Sequence, residues 1–329
     1  MSFFAILVAL LLEQARPLSS TNPIHGGLRA WALSASRNFD AGRPHHAWVA
    51  WTVAVIVPTV AVFGIHALLS WGLGWPFALL WNIAVLYLTL GFRQFSHHFT
   101  DIRDALLEGD EMRARELLAQ WQRVDASELP RSEVVRHVIE YSMLAAHRHV
   151  FGVLACFSIL AACGLGPAGA VLYRLAEFAS RYWSARSIRS GHPASPSLQR
   201  AAAASWTVID WLPARMTALS FAVVGNFEEA IEGWRYHAQR FPNDNDGVIL
   251  AATAGAVDVR LGGGALRAAS DPVFVDAGAG DDGASADSPS TPGRPPDSAH
   301  LAQVVGLVWR SVVVWVGLLA LLSFARLLG

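Results

Sequence analysis

The residues best suited to chemistry sit where the chain is least polar. In VIDWLPARMTALSFAVVGN, Asp210 and Arg215 flank Leu212 and Pro213 within an otherwise apolar run. Proline disfavours helix at the residue before it and frees backbone carbonyls, and ionisable groups in such a run pair, snorkel or line a polar cavity. Two readings are open: Asp210 is the N-cap of an interfacial helix with Pro213 in its first turn, or Arg215 faces an anionic ligand such as a phosphate at the membrane boundary. Glu228 and Glu232 share a helix face by their i,i+4 spacing. They could hold Mg²⁺ with a substrate phosphate, or simply form a solvated charged face. VRLGGGALR, Val259 to Arg267, is a glycine-rich turn flanked by Arg260 and Arg267. It has neither the Lys-Ser/Thr ending of a P-loop nor GxGxxG spacing, yet its backbone N–H groups could cradle an anion. The pairs His45/His46, His97/His98 and His147/His149 lack an HExxH pattern or a cysteine partner, so they read as an interfacial fringe and no metal site is expected. Cys156 and Cys163 lie in one apolar run and read as buried small hydrophobes.

The elements that must position these residues are apolar helices. Hydrophobic residues make up 53% of the chain and charged ones only 16%, which argues for an integral membrane protein with the lipid bilayer as its partner. Thirteen tryptophans fit bilayer interfaces, and a net charge of -1 gives no footing for nucleic acid. The opening SFFAILVALLL has no basic n-region and is closed by Glu13 and Arg16, so a retained short membrane helix is expected rather than a cleaved signal. Ala47 to Trp71 and Trp75 to Phe92 are each near the roughly 20 residues needed to cross the hydrocarbon core, and only GLG separates them. Arginines flank this hairpin on both sides (Arg16, Arg29, Arg37 and Arg43 before it; Arg93, Arg103, Arg113, Arg115 and Arg123 after it), which places both flanks in the cytoplasm. Asp101 to Arg148 has a polar helical pattern and reads as a soluble cytoplasmic insert. The next apolar segment breaks at Gly164 to Pro167: it is either a re-entrant pair or a single span that leaves Arg181, Arg186, Arg189 and Arg200 on the wrong side. Asp271 to Ser298, rich in Gly, Ser, Pro and Asp, reads as a disordered linker. Val304 to Phe324 is a C-terminal span. The expected architecture is thus all-α, in five parts: a membrane region over 1–92, a cytoplasmic helical insert over 93–150, a core with re-entrant or membrane-boundary helices over 151–266, a linker over 267–300 and a transmembrane helix over 301–329.

Several of these stretches together resemble one family, the CobD/CbiB cobinamide-phosphate synthases and their AmpE-type relatives. LLEGDEMRARELLAQWQRVDASELPRSEVVRHVIE resembles the family's cytoplasmic stretch, with its Gly-Asp turn and Val-x-Arg-x-x-Ile-Glu helix. DWLPARMTALSFAVVGN resembles the synthase Leu-Ile-Pro-Ala-Arg-Leu-Thr-Ala motif, and ATAGAVDVRLGGG resembles its Ala-Gly-Ala-Leu-Gly-Val-Arg-Leu-Gly-Gly segment. The resemblance runs from about Leu107 to Gly264. It implies an enzyme that joins a corrinoid carboxylate to an aminopropanol phosphate with ATP and Mg²⁺, and therefore an anionic or phosphorylated small molecule as ligand. The chain departs from the synthase pattern in MLAAHRHVF, where Ala146, His147 and Val150 replace Glu, Asn and Asp. In LYRLAEFAS it keeps Tyr173-Arg174 for Tyr-Lys but has Glu177 for Asn and Ser180 for Asp. These departures favour a bacterial inner-membrane, multi-pass protein with a non-catalytic regulatory or accessory role of the AmpE type, linked to the cell envelope and β-lactamase induction. The alternative is a working synthase in cobalamin biosynthesis. Under either reading the ligand-facing residues are expected to be Tyr173, Arg174, Glu177, Asp210, Arg215 and Arg260.

Overall fold

A computed structural model describes residues 2–16, 23–122, 124–186, 194–266 and 287–328. The order of helices is α1 (Ser2–Ala15), α2 (Pro23–Phe39), α3 (Pro44–Trp51), α4 (Val57–Gly72), α5 (Trp75–Thr89), α6 (Phe92–Glu108), α7 (Glu111–Gln122), α8 (Arg131–Ala146), α9 (Gly152–Ala162), α10 (Ala168–Arg181), α11 (Pro196–Val224), α12 (Phe227–His237), α13 (Asp244–Val257) and α14 (Ser298–Leu328). Short π-helical turns join α3 to α4 and α8 to α9 without a break in the helical run. Among the described residues there are isolated β-bridges but no strand, so the fold is all-α. Four helical runs are long and apolar enough to cross a membrane: Pro44–Gly72, Arg131–Ala162, Pro196–Val224 and, at the C-terminus, Ser298–Ala325.

The boundaries differ from the sequence expectation in three places, each for a local reason. The helix beginning at Trp75 stops at Thr89, Leu90 is extended, and a separate helix begins at Phe92. At 1.5 Å per residue, α5 is roughly 22 Å long, short of the ~30 Å hydrocarbon core. The polar insert does not end at residue 150; its last helix continues through His147 to Phe151 into the apolar α9. Pro213, expected to start a helix, lies inside α11, so Asp210 is a mid-helix residue with 0% exposure and no N-cap. A proline costs one backbone bond, and a helix tolerates it where neighbouring protein re-satisfies the freed carbonyl.

The chain divides into two compact units. The first comprises Met1–Gly91, Arg148–Pro213 and Leu319–Gly329. Its core is built from small residues on α2, α3 and α11 (Ala32, Ala35, Ala47, Ala50, Ala201, Ala202) around Trp51, Tyr182 and Trp183. Close helix approach of this kind gains dispersion contact where lipid offers no hydrophobic contrast. The turn between α9 and α10 carries Gly166 at φ +57, and a β-carbon there would overlap the His66 ring of α4. Gly166→Ala should therefore add about 1–2 kcal/mol of left-handed backbone strain to a steric clash. His66→Ala in the same chain should relieve the clash but not the strain, as thermal unfolding in detergent would show.

The second unit comprises Phe92–His147 and Ala214–Leu318. Its tightest pairing is α12 on α13, where Gly233 meets the Ala251 carbonyl and Gly255 meets the Glu229 carbonyl with no room for a side chain. Asn226 caps α12 by accepting from the Glu229 N–H at 3.4 Å, and Glu228, Glu229 and Glu232 all lie on the exposed face. This is the solvated alternative for the glutamates. Of the expected linker, 267–286 lies outside the described residues. Its remainder from Asp287 pairs by backbone with the glycine-rich turn: Ser288 N–H donates to the Gly263 carbonyl at 2.9 Å, Thr291 N–H to Leu261 at 2.7 Å, and Arg260 N–H to Arg294 at 2.8 Å. α14 then begins at Ser298.

Candidate functional site

In the first unit, α10 and α11 bring together four of the residues singled out by sequence. Tyr173 sits on the buried face of α10, its ring 5.0 Å from that of Trp206, and its hydroxyl donates to Asp210 Oδ1 at 2.8 Å. The phenol has room there because residue 152, on α9, is glycine. One turn along α10, Glu177 is held between two guanidinium groups: Arg174 Nη1 is 3.1 Å from Oε2 and Arg181 Nε is 2.7 Å from Oε1. The spacing i,i+3 and i,i+4 places all three on one helix face. The Glu177 side chain is 3% exposed, against 18% and 29% for the two arginines, so the carboxylate is a buried strut and the guanidinium groups form its rim. Arg174 also donates to the Arg148 carbonyl at 3.5 Å. The cluster holds two cations and one anion, a disposition suited to an anionic group of a ligand.

Arg215 and Arg260 belong to the second unit. Arg215 Nη1 donates to Asn245 Oδ1 at 3.1 Å, in the first turn of α13, where Asn243 donates to Asp246 Oδ2 at 3.1 Å. Asn245 and Asp246 are both buried. Reading the sequence for motifs passed over these residues; the signal was PNDNDG, four amide and acid side chains opening a helix of small residues. Close by in the chain, His147 Nδ1 is 2.8 Å from Thr217 Oγ1. Arg260 is exposed on its loop, with Nη2 3.5 Å from the Gly293 carbonyl.

The glycine-rich turn is not an open anion cradle, because the chain's own acceptors occupy its N–H groups. Gly262 N–H donates to Glu140 Oε1 at 2.7 Å, Leu261 N–H to Thr291 Oγ1 at 2.9 Å, Gly263 N–H to Ser288 Oγ at 3.3 Å and Ala265 N–H to Asp287 Oδ1 at 2.7 Å. Glu140 is in turn bound by Arg136, whose Nη2 also donates to the Gly264 carbonyl at 2.8 Å. The anion cradled there is a glutamate of α8.

Mg²⁺ usually takes one or two protein carboxylates and completes its shell with water and phosphate. Glu177 is spent on two arginines and Asp210 accepts from Tyr173. Among the described residues no three His, Cys, Asp or Glu side chains group to hold a metal ion. These carboxylates do not form a ready metal seat.

Away from these clusters, His98 on α6 stacks on Trp121, with centroids 5.7 Å apart. Burial first, and then the neighbouring His97, push its pKa from 6.5 down to about 4, against a weaker opposite pull from Asp101. The unfolded chain therefore binds the extra proton over this window. Stability should fall as pH drops from about 6.5 to about 4 and then level off. Unfolding midpoints at successive pH values should show less of this loss in His98→Leu.

The family described as CobD/Cbib protein matches residues 3–286. Among curated proteins, the cobalamin biosynthesis protein CobD of Stutzerimonas stutzeri is 30% identical over 317 residues, covering 95% of each chain. That of Chromobacterium violaceum is 37% identical over 183 residues, covering 56% of this chain and 55% of the relative. That of Mycobacterium tuberculosis is 40% identical over 77 residues, 21% of this chain and 25% of the relative. No solved structure matches significantly. The matches lend no support to the non-catalytic, AmpE-type role expected from Ala146, His147 and Val150. Those departures fall inside a match that runs the length of the chain, and the cobalamin-biosynthesis alternative is the better supported.

Proposed function

The chain belongs to the CobD/CbiB protein family, and from that premise we propose that it is a multi-pass inner-membrane enzyme of cobalamin biosynthesis. The reaction is that of a cobinamide-phosphate synthase: the amine of an aminopropanol phosphate is joined in amide linkage to a corrinoid carboxylate, with ATP as the activating co-substrate. The observation that carries the reading is the family match over residues 3–286, which includes every candidate site residue.

The side chains support it in kind. A phosphorylated substrate needs a fixed cation, and Arg215 is oriented by the buried Asn245 at 3.1 Å. Charge that develops as the carboxylate is activated and attacked is best met by preorganised donors. The arginine pair on Glu177 supplies such donors, while Tyr173, whose one proton goes to Asp210, acts as a positioning residue. The test is genetic. The chain should restore cobalamin synthesis from cobyric acid in a strain lacking the synthase, and Arg215→Ala should abolish the rescue while still accumulating in the membrane. Failure of the unaltered, membrane-inserted chain to rescue overturns the proposal.

A further inference from the structure

The first unit contains two helical hairpins, α4 with α5 and α9 with α10, and their ends are tied in register. At the tips, the turn at Gly166 lies directly against the His66 ring. At the bases, the exit of the first hairpin meets the entry of the second, where Gly91 N–H donates to the His149 carbonyl at 3.3 Å. The entry of the first meets the exit of the second: Ser195 donates through N–H and Oγ to the Asp40 carboxylate at 2.8 and 2.7 Å, and Ser197 Oγ donates to the Gly42 carbonyl at 3.0 Å. The hairpins therefore stand side by side and point the same way, the turn of the second meeting the first about 9 Å short of the end of α4.

Charge and exposure say what surrounds them. No Asp, Glu, Lys or Arg occurs between Arg43 and Arg93, or between Arg148 and Arg174. Charges stand at the bases except on the return limb of the second hairpin, where Arg174 and Glu177 lie midway along α10. Along the first hairpin, Val60, Leu68, Trp71, Trp75, Phe77 and Leu80 are exposed, Trp71 at 89%. A surface of large apolar side chains capped by tryptophan at one end and arginine at the other matches acyl chains and an interface. α5, of 15 residues, and α10, of 14, are each too short to cross a full core of ~30 Å alone.

We propose that lipid covers these faces and that both hairpins dip into the bilayer from one and the same side and return to it. The return limb of the second hairpin, with Tyr173, Arg174, Glu177 and Arg181, then opens to the compartment that holds Arg37 and Arg43. Charged substrates reach that cluster without crossing the membrane. This extends the proposed inner-membrane placement and does not depend on the ligase chemistry.

The test is labelling by a membrane-impermeant maleimide in sealed right-side-out and inverted vesicles. Asn38→Cys and Ser184→Cys, both at exposed positions, are each made with Cys163→Ser; Cys156 is buried and remains. Both introduced thiols should react in the same vesicle orientation and in that orientation only. Reaction of Ser184→Cys in the opposite orientation to Asn38→Cys overturns the proposal. Native Cys163, exposed beside the tip of the second hairpin, provides a reading on the unaltered chain should either variant fail to accumulate. It should be silent in the orientation that exposes the bases. Labelling from the far face, or only after detergent, agrees with insertion, whereas labelling in the same phase as the bases overturns it.

Discussion

Arg136→Ala should destabilise the second unit by about 3–5 kcal/mol, the usual cost of removing one partner of a buried ion pair. Arg136 Nη1 lies 3.0 and 3.1 Å from the two Glu140 oxygens, and Nη2 donates to Glu133 Oε2 at 2.6 Å and to the Gly264 carbonyl at 2.8 Å. Nη2 also lies 2.8 Å from His137 Nε2. Removing the guanidinium leaves the Glu140 carboxylate, 4% exposed, with the Gly262 N–H and no cation at hydrogen-bond distance. Glu133, whose side chain is 37% exposed, is the control: Glu133→Ala should cost at most about 1 kcal/mol. Denaturant or thermal unfolding in detergent separates the two, and limited proteolysis within 258–266 should accelerate only in Arg136→Ala. Equal losses from both substitutions would show that burial does not set the cost.

Gly152→Ala should abolish the rescue of cobalamin synthesis although it adds a single methyl group. A β-carbon at 152 would overlap the Tyr173 phenol, whose ring is also 5.0 Å from that of Trp206. The phenol must swing away and lose its bond to Asp210. Overpacking of this kind costs about 1–3 kcal/mol, and a buried carboxylate deprived of its donor costs about as much again. Tyr173→Phe isolates the second loss, since the ring stays in place and only the hydroxyl is gone. Tyr173→Ala combined with Gly152→Ala removes the overlap. That pair should lose the overlap but carry the cavity left by the ring, a cost of about 3–5 kcal/mol, and activity should not recover. A Gly152→Ala chain with unchanged midpoint and full rescue would mean that the phenol does not lie across α9.

Much of this was legible from residue patterns. The long charge-free runs announced membrane helices, and Gly164 to Pro167 announced the break between α9 and α10. Pro213 misled, because a proline marks a helix start only where nothing else supplies the missing bond, and α11 runs through it. VRLGGG also misled: glycine spacing reports that a turn can bind an anion, but not that Glu140, 122 residues earlier, already does. Asn245 went unnoticed because an amide gains meaning only when an arginine from another helix reaches it.

By itself, the sequence determined the class of the protein: all-helical, suited to a bilayer and a member of one family, since hydropathy, charge flanks and ordered motifs are written along the chain. Only the tertiary structure decided which charges neutralise each other. Arg174 and Arg181 close on Glu177, Arg136 on Glu140, and Asp210 accepts from Tyr173 rather than capping a helix. The strength of each such pairing depends on distance and on exclusion from water. Both depend on where helices far apart in the chain come to rest.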